Sequence, residues 1–153
     1  MHDITIVLNG TEHRLQVQDH ELLVELLRDR MRLTGTHIGC DTTQCGCCTV
    51  HLDGRAVKSC TMLAVQADGG TIVTIEGLAE GSRLHPMQLA FSQEHALQCG
   101  FCTPGMIMAA TAYLAEHPQA GRAQITRALE GNLCRCTGYE NIVDAVARVA
   151  ANG

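Results

Sequence analysis

The chain has 153 residues, 46% of them hydrophobic and 18% charged, which suits one ordinary domain or two small ones and excludes a disordered chain. Its 11 basic and 16 acidic residues give a net charge of -5, and no basic stripe with interleaved aromatics speaks for a nucleic-acid partner. The start, MHDITIVLNG, lacks the basic residues and long apolar run of a secretory leader. No stretch approaches the roughly 20 apolar residues that cross a bilayer, so a cytoplasmic chain without a membrane span is expected.

In chain order, DITIVL (3–8) alternates as a strand, Asn9-Gly10 signals a tight turn, and HRLQV (13–17) is the returning strand. ELLVELLRDRMRL (21–33) carries Leu22, Leu23, Leu26, Leu27 and Leu33 at helical spacing, with Asp19 as the expected N-cap and Gly35 as the stop. A cysteine-rich loop follows. CTVHL (48–52), Asp53-Gly54 and RAVKS (55–59) predict a second hairpin, and TIVTI (71–75) a last strand. The period then changes. Helices are predicted over 84–97, 104–117, 123–131 and 139–151. The chain therefore divides near 76–83 into two units, 1–78 and 79–153. The fold class is α+β: a small mixed sheet packed on one helix, then a four-helix bundle.

Nine cysteines in a reducing compartment argue against a disulfide framework, and an odd count leaves one unpaired. Clustered thiols in such a chain point to metal. Cys40, Cys45 and Cys48 stand as C-x4-C-x2-C, the spacing of a plant-type [2Fe-2S] loop, which needs a fourth, more distant cysteine. Cys60 follows the 48–59 hairpin and supplies it. Gly39 and Gly46 are expected to take positive φ and let backbone amides approach the sulfurs. A zinc knuckle would use C-x2-C pairs, and a Rieske centre would need two histidine ligands. His37 and His51 flank the loop at neither spacing, which leaves them at most hydrogen bonds to the first centre. The remaining histidines form no close pair.

Cys99 and Cys102 form a C-x2-C pair, and Cys134 and Cys136 a C-x-C pair, together enough for a second centre. Each pair precedes a helix. Thr103 is the expected N-cap with Pro104 in the first turn, and Thr137 with Glu140 reads as a capping box. Two helix N-termini would then face an anionic cluster. A four-cysteine zinc site remains an alternative for this set. Cys47 is left over; beside Cys48 on extended chain it should point away and act as a small buried filler. Met106 and Met108 read as helix core. No Ser/His/Asp set or phosphate loop appears, so substrate chemistry is not expected on this chain. Metal centres would cross-link distant segments, so iron-free protein should be poorly folded around 97–103 and 132–138.

GCDTTQCGCCTV, VKSCTMLAVQADG, TIEGL, LQCGFCTPGM and GNLCRCTGYENIV together resemble the small iron–sulfur subunit of the xanthine oxidase (molybdenum hydroxylase) family, across about residues 3 to 148. Within it, CDTTQCG and VKSCTMLAVQ are most similar to the small subunit of the aerobic carbon monoxide dehydrogenases. The resemblance implies a ferredoxin-like β-grasp followed by a four-helix bundle, with two [2Fe-2S] clusters. It implies a large subunit carrying molybdopterin cytosine dinucleotide and a medium subunit carrying FAD, in a dimer of heterotrimers. Electrons would pass from molybdenum to the Cys99/Cys102/Cys134/Cys136 centre, then to the Cys40/Cys45/Cys48/Cys60 centre, then to FAD. Gln98 matches a glutamine that hydrogen-bonds the pterin, and Cys136 the ligand whose sulfur lies nearest to it. Relatives carry a small residue where this chain has Cys47. A free-standing ferredoxin-like carrier and a zinc-binding interaction module are the alternatives.

Overall fold

Ile4, Ile6 and Leu8 alternate with more exposed residues, so the first strand has one buried face, and that face starts the sheet core. In the computed structural model, which describes residues 1–153, β1 (His2–Leu8) pairs antiparallel with β2 (Thr11–Val17). The turn residues Asn9 and Gly10 both have positive φ, as a two-residue hairpin requires. β3 (Thr49–Leu52) and β4 (Arg55–Lys58) form the second hairpin around Asp53-Gly54. β5 (Thr71–Val73) lies between the hairpins, parallel to β1 and antiparallel to β3, which gives a five-stranded sheet of order β2-β1-β5-β3-β4.

The helix on this sheet is shorter than expected. α1 covers Leu23–Glu25 and runs into a π-helical turn, Leu26–Arg30. Leu22 bridges Leu63 and the Leu23 amide donates to the Met62 carbonyl, so the chain stays extended up to Leu22. Asp19 does not cap it; its carboxylate takes the N-terminal ammonium and His2. Nor does Gly35 act as a left-handed stop. A Cβ there would meet Ile75 Cγ2 at 2.5 Å, and its amide donates to Glu76 at 2.7 Å, so the glycine serves close approach.

Helices α2 (Pro86–Gln93), α3 (Thr103–Glu116), α4 (Arg122–Ala128) and α5 (Glu140–Ala151) form the second unit. Met87, Phe91, Met106, Ile125, Ile142 and Val146 fill its core, and Ile75 and Leu78 pack against it from the connecting segment. The predicted helix over 84–97 stops early, because His95 adopts φ 53°. That break frees 97–102 as a loop and presents the Cys99/Cys102 pair outside any helix. Met106 and Met108 are fully buried, as core residues of α3. The architecture is the α+β arrangement expected: a ferredoxin-like mixed sheet, then helices.

Candidate metal centres

The loop between α1 and β3 wraps inward at unusual backbone angles. Asp41 and Thr43, neither of them glycine, take φ of 49° and 64°, and Gly46 takes 76°. These bends turn the Thr42 and Cys45 amides onto Cys40 Sγ, each at 3.3 Å. Hydrogen bonds from the Thr42 side chain and from the two amides lower the Cys40 thiol to about 6. Gly39 does not have the positive φ expected of it. A Cβ on Gly39 would instead lie 3.0 Å from both Cys45 Sγ and Cys47 Sγ, so this glycine keeps the space over the sulfurs open.

Cys48 and Cys60 are buried side by side against Leu22 and Val24. Burial, with the neighbouring Cys60 thiol adding to it, pushes Cys48 up to about 11. The Cys48 carbonyl accepts from Ser59 Oγ at 2.7 Å, which ties the loop to the chain carrying Cys60. Cys47 does not point away from this group. Its sulfur lies 3.3 Å from Cys45 Sγ and 3.5 Å from the His37 carbonyl oxygen. Burial and the Cys45 thiol push it up to about 12.

In the second unit, Cys102 and Cys134 are in contact, and burial followed by the Cys134 thiol pushes Cys102 up to about 12. Cys134 goes the other way: burial opposes its thiolate, but hydrogen bonds from Thr137 and from the Cys136 amide lower it. The Phe101 amide donates to Cys99 Sγ at 3.5 Å. Cys99 and Cys136 are exposed, as is Gln98.

The expected caps are not formed. Cys102 already has helical angles, so Thr103 is the first helical residue and Pro104 the second. The Thr103 hydroxyl is buried without a hydrogen-bond partner. Tyr139 precedes α5 in the left-handed conformation, and Thr137 Oγ1 accepts from the Tyr139 amide while also touching Cys134 Sγ at 3.1 Å. Glu140 is drawn away to Arg122. The Tyr139 hydroxyl accepts from the Cys134 amide at 3.0 Å. Of the three expected capping groups, Thr137 thus contacts sulfur, Glu140 pairs with Arg122, and Thr103 has no partner.

The two sets are joined directly, through contacts between segments far apart in the sequence. The Leu133 amide donates to the Cys45 carbonyl at 2.8 Å. The buried Asn132 side chain donates from Nδ2 to the Gly46 carbonyl at 2.9 Å. Lys58 Nζ donates to the carbonyls of Thr43 and Gly131, at 2.6 and 2.8 Å. Both flanking histidines also reach across: His51 Nε2 bonds the Met108 carbonyl at 2.7 Å, and His37 stacks on Phe101 and bonds its carbonyl at 2.7 Å. Their rings brace the junction and bond no thiol; the one thiol contact is through the His37 backbone, whose carbonyl accepts from Cys47 Sγ. Glycines at 46, 105 and 131 allow the backbones to come this close: a Cβ on Gly46 would strike the Gly131 carbonyl, and one on Gly105 the Gly46 carbonyl.

The residues fit iron–sulfur groups on three observations. Amides converge on a thiol of low proton affinity, a glycine clears the space over two sulfurs, and a buried hydroxyl beside Cys102 has no partner in the chain. No three His, Cys, Asp or Glu side chains gather as they do around a single ion.

Comparison with known proteins agrees with this picture. The family model described as a 2Fe-2S iron-sulfur cluster binding domain matches residues 6–84, and that described as a [2Fe-2S] binding domain matches residues 74–147. The chain is 47% identical to the nicotine 6-hydroxylase small subunit of Paenarthrobacter nicotinovorans, across 94% of this chain and 87% of that one. It is 46% identical to the caffeine dehydrogenase subunit gamma of Pseudomonas sp. (strain CBB1), across 97% and 91%. Among solved structures, it resembles a chain of quinoline 2-oxidoreductase from Pseudomonas putida 86 with a TM-score of 0.92 and 45% identity, across 99% and 97%.

Proposed function

The chain belongs to the small iron–sulfur subunits of the molybdenum hydroxylase family, and from that premise we propose that it relays electrons inside a larger oxidoreductase. Cys40, Cys45, Cys48 and Cys60 hold one [2Fe-2S] centre, and Cys99, Cys102, Cys134 and Cys136 hold the other. Each centre, when bound, supplies one-electron carriage. The two units divide at about residues 78 and 79.

The observation that carries the proposal is the 2.8 Å hydrogen bond from the Leu133 amide to the Cys45 carbonyl. Leu133 is covalently joined to Cys134, so one hydrogen bond connects a ligand of one set to a ligand of the other. Asn132 and Lys58 hold the same two backbones in register from either side. The chain's own work is then to fix thiols, exclude water from Cys48 and Cys60, and donate amides to Cys40 and Cys134.

The second set faces outward. Leu97, Phe101 and Leu133 are exposed beside Gln98, Cys99 and Cys136. This face supports docking on a large subunit that carries molybdopterin cytosine dinucleotide, with Gln98 bonding the pterin and Cys136 nearest to it. A medium FAD subunit would take electrons from the Cys40 side. A dimer of such heterotrimers in the cytoplasm completes the proposal. The holoenzyme would oxidise a small molecule, with substrate chemistry on the large subunit. The relatives above are named for nicotine, caffeine and quinoline, which favours a nitrogen-heterocycle branch over the carbon monoxide branch.

The test is isolation of the chain with its native subunits, followed by metal analysis and electron paramagnetic resonance. About four iron and four labile sulfide per chain and two distinct reduced signals are expected, from two [2Fe-2S] centres. Zinc without labile sulfide would sink the reading. A stable monomer that brings no molybdenum or flavin chain would favour a free-standing carrier.

A further inference from the structure

Cys47 is buried at 3% exposure, and its sulfur has turned into the first loop. It stands 3.3 Å from Cys45 Sγ, and both sulfurs lie 3.0 Å from the point where a Gly39 Cβ would be. A filler side chain would need only to occupy volume. This one places a second soft donor over the same open space as Cys45, on a loop whose backbone is fixed by Asn132 and by the Leu133 amide. The sulfur is also hidden from solvent, so it is kept from competing oxidants and ions.

We propose that Cys47 is a reserve ligand of the first centre, placed to take over the iron bond of Cys45 when that thiol is lost. The inference rests on the assignment of Cys40, Cys45, Cys48 and Cys60 as ligands. The exchange is balanced simply: the iron–sulfur bond to Cys45 breaks, a bond to Cys47 Sγ forms, and the Cys47 proton passes to the released Cys45 thiolate 3.3 Å away, or out of the site where position 45 has no sulfur. No electron is transferred. The sulfur must move by about the 3.3 Å that separates the two thiols, a shift that rotation about the Cys47 side chain and a small adjustment of the loop can supply. Cys60 has no such substitute, since its neighbours are the buried Cys48 and Val24 and the half-buried Leu22.

The test uses the full chain isolated with its native subunits, and reads iron, labile sulfide and the two reduced resonance signals. Cys47→Ala is expected to match the wild type. Cys45→Ala is expected to keep about four iron per chain and a first-centre signal with altered g values. Cys45→Ala/Cys47→Ala and Cys60→Ala are expected to fall to about two iron, with only the second-centre signal remaining. That second signal, present in the same sample, reports that the chain has folded.

If Cys45→Ala is as poor in iron as the double variant while the wild type is fully loaded, the reserve-ligand inference is overturned and the ligand assignment stands. A wild type without a first-centre signal overturns both. Should Cys45→Ala not accumulate, Cys45→Ser gives the same decision. An all-thiolate spectrum in Cys45→Ser that changes only in Cys45→Ser/Cys47→Ala supports the exchange; identical spectra in the two variants overturn it.

Discussion

The two cysteine sets are built by different means. The first lies mostly in one loop, and the chain itself shapes it. Gly46 accepts from Thr49 through both backbone and side chain, Ser59 ties down Cys48, and strained angles at Asp41 and Thr43 aim amides at Cys40. The second is divided between 97–103 and 132–138, each a loop ahead of a helix. These two segments meet through Cys102 and Cys134, while Cys99 and Cys136 remain open to solvent. One site is shaped chiefly by its own loop, braced across the junction by Asn132 and Leu133; the other depends on whatever bridges its two halves.

Iron removal is therefore the strongest way to break the comparison. Anaerobic chelation should abolish hydrogen-exchange protection over 97–103 and 132–138 while β1, β3 and β5 stay protected. Equal loss in both units would show that the first site is not preformed. In the same iron-free chain at neutral pH, iodoacetamide should alkylate Cys40 first, because its thiol is lowered to about 6. Cys47 and Cys48, raised by burial to about 12 and 11, should lag. Mass spectrometry of the tryptic peptides gives the order.

Next in size is damage to the junction. At Gly46 a Cβ would strike Asn132 Nδ2 at 2.6 Å, and φ is positive. Gly46→Ala combines left-handed strain of about 1–2 kcal/mol with a steric clash of about 1–3 kcal/mol. At Gly105 the φ is ordinary, but a Cβ would stand 2.8 Å from Cys47 Cα. Gly105→Ala should cost about 1–3 kcal/mol through overpacking alone. Urea midpoints rank the two, and both variants should lower the midpoint of the first-unit transition as well as the second. A smaller effect is expected of Lys58→Met, about 1 kcal/mol for two partly exposed hydrogen bonds to carbonyls. Loss of that cation should also lower the reduction potential of the first centre, since a positive charge stabilises the more negative reduced form. Redox titration followed by resonance checks it.

That the chain carries two [2Fe-2S] domains was legible in the cysteine spacings, because a metal site fixes ligand types and intervals. Both hairpins were legible too, as Asn9-Gly10 and Asp53-Gly54 are strong local signals. Expectations failed where distant contacts outweighed local preference. Asp19 is a good cap by type, but the ammonium of Met1 captures it. Glu140 fits a capping box, but Arg122 draws it off. Leu22 fits a helix stripe, yet Leu63 holds it as a bridge. The junction was invisible for the same reason: Asn132 and Gly46 are 86 residues apart, and nothing local marks one as the partner of the other.

The smallest expected effect concerns the entry to the second unit. His85 Nδ1 accepts from the Met87 amide at 3.1 Å and so caps α2, the helix whose end releases the Cys99/Cys102 segment. Only a neutral ring can accept at Nδ1. Burial lowers the His85 pKa from 6.5, and the nearby His51, on β3, lowers it further. A folded-state value below the unfolded one means that the unfolded chain binds more protons across the interval between them. Stability is then fully present above about 6.5 and declines as pH falls through the folded-state value. The loss should appear as faster amide exchange in α2 and 97–102, with β1 and β2 unaffected. His85→Asn keeps a capping oxygen without a titrating ring, so it should flatten the pH response of those segments. If the His85→Asn chain loosens over the same pH range, the sensitivity belongs to another group, and the helical unit is no more tied to its cap than the sheet is.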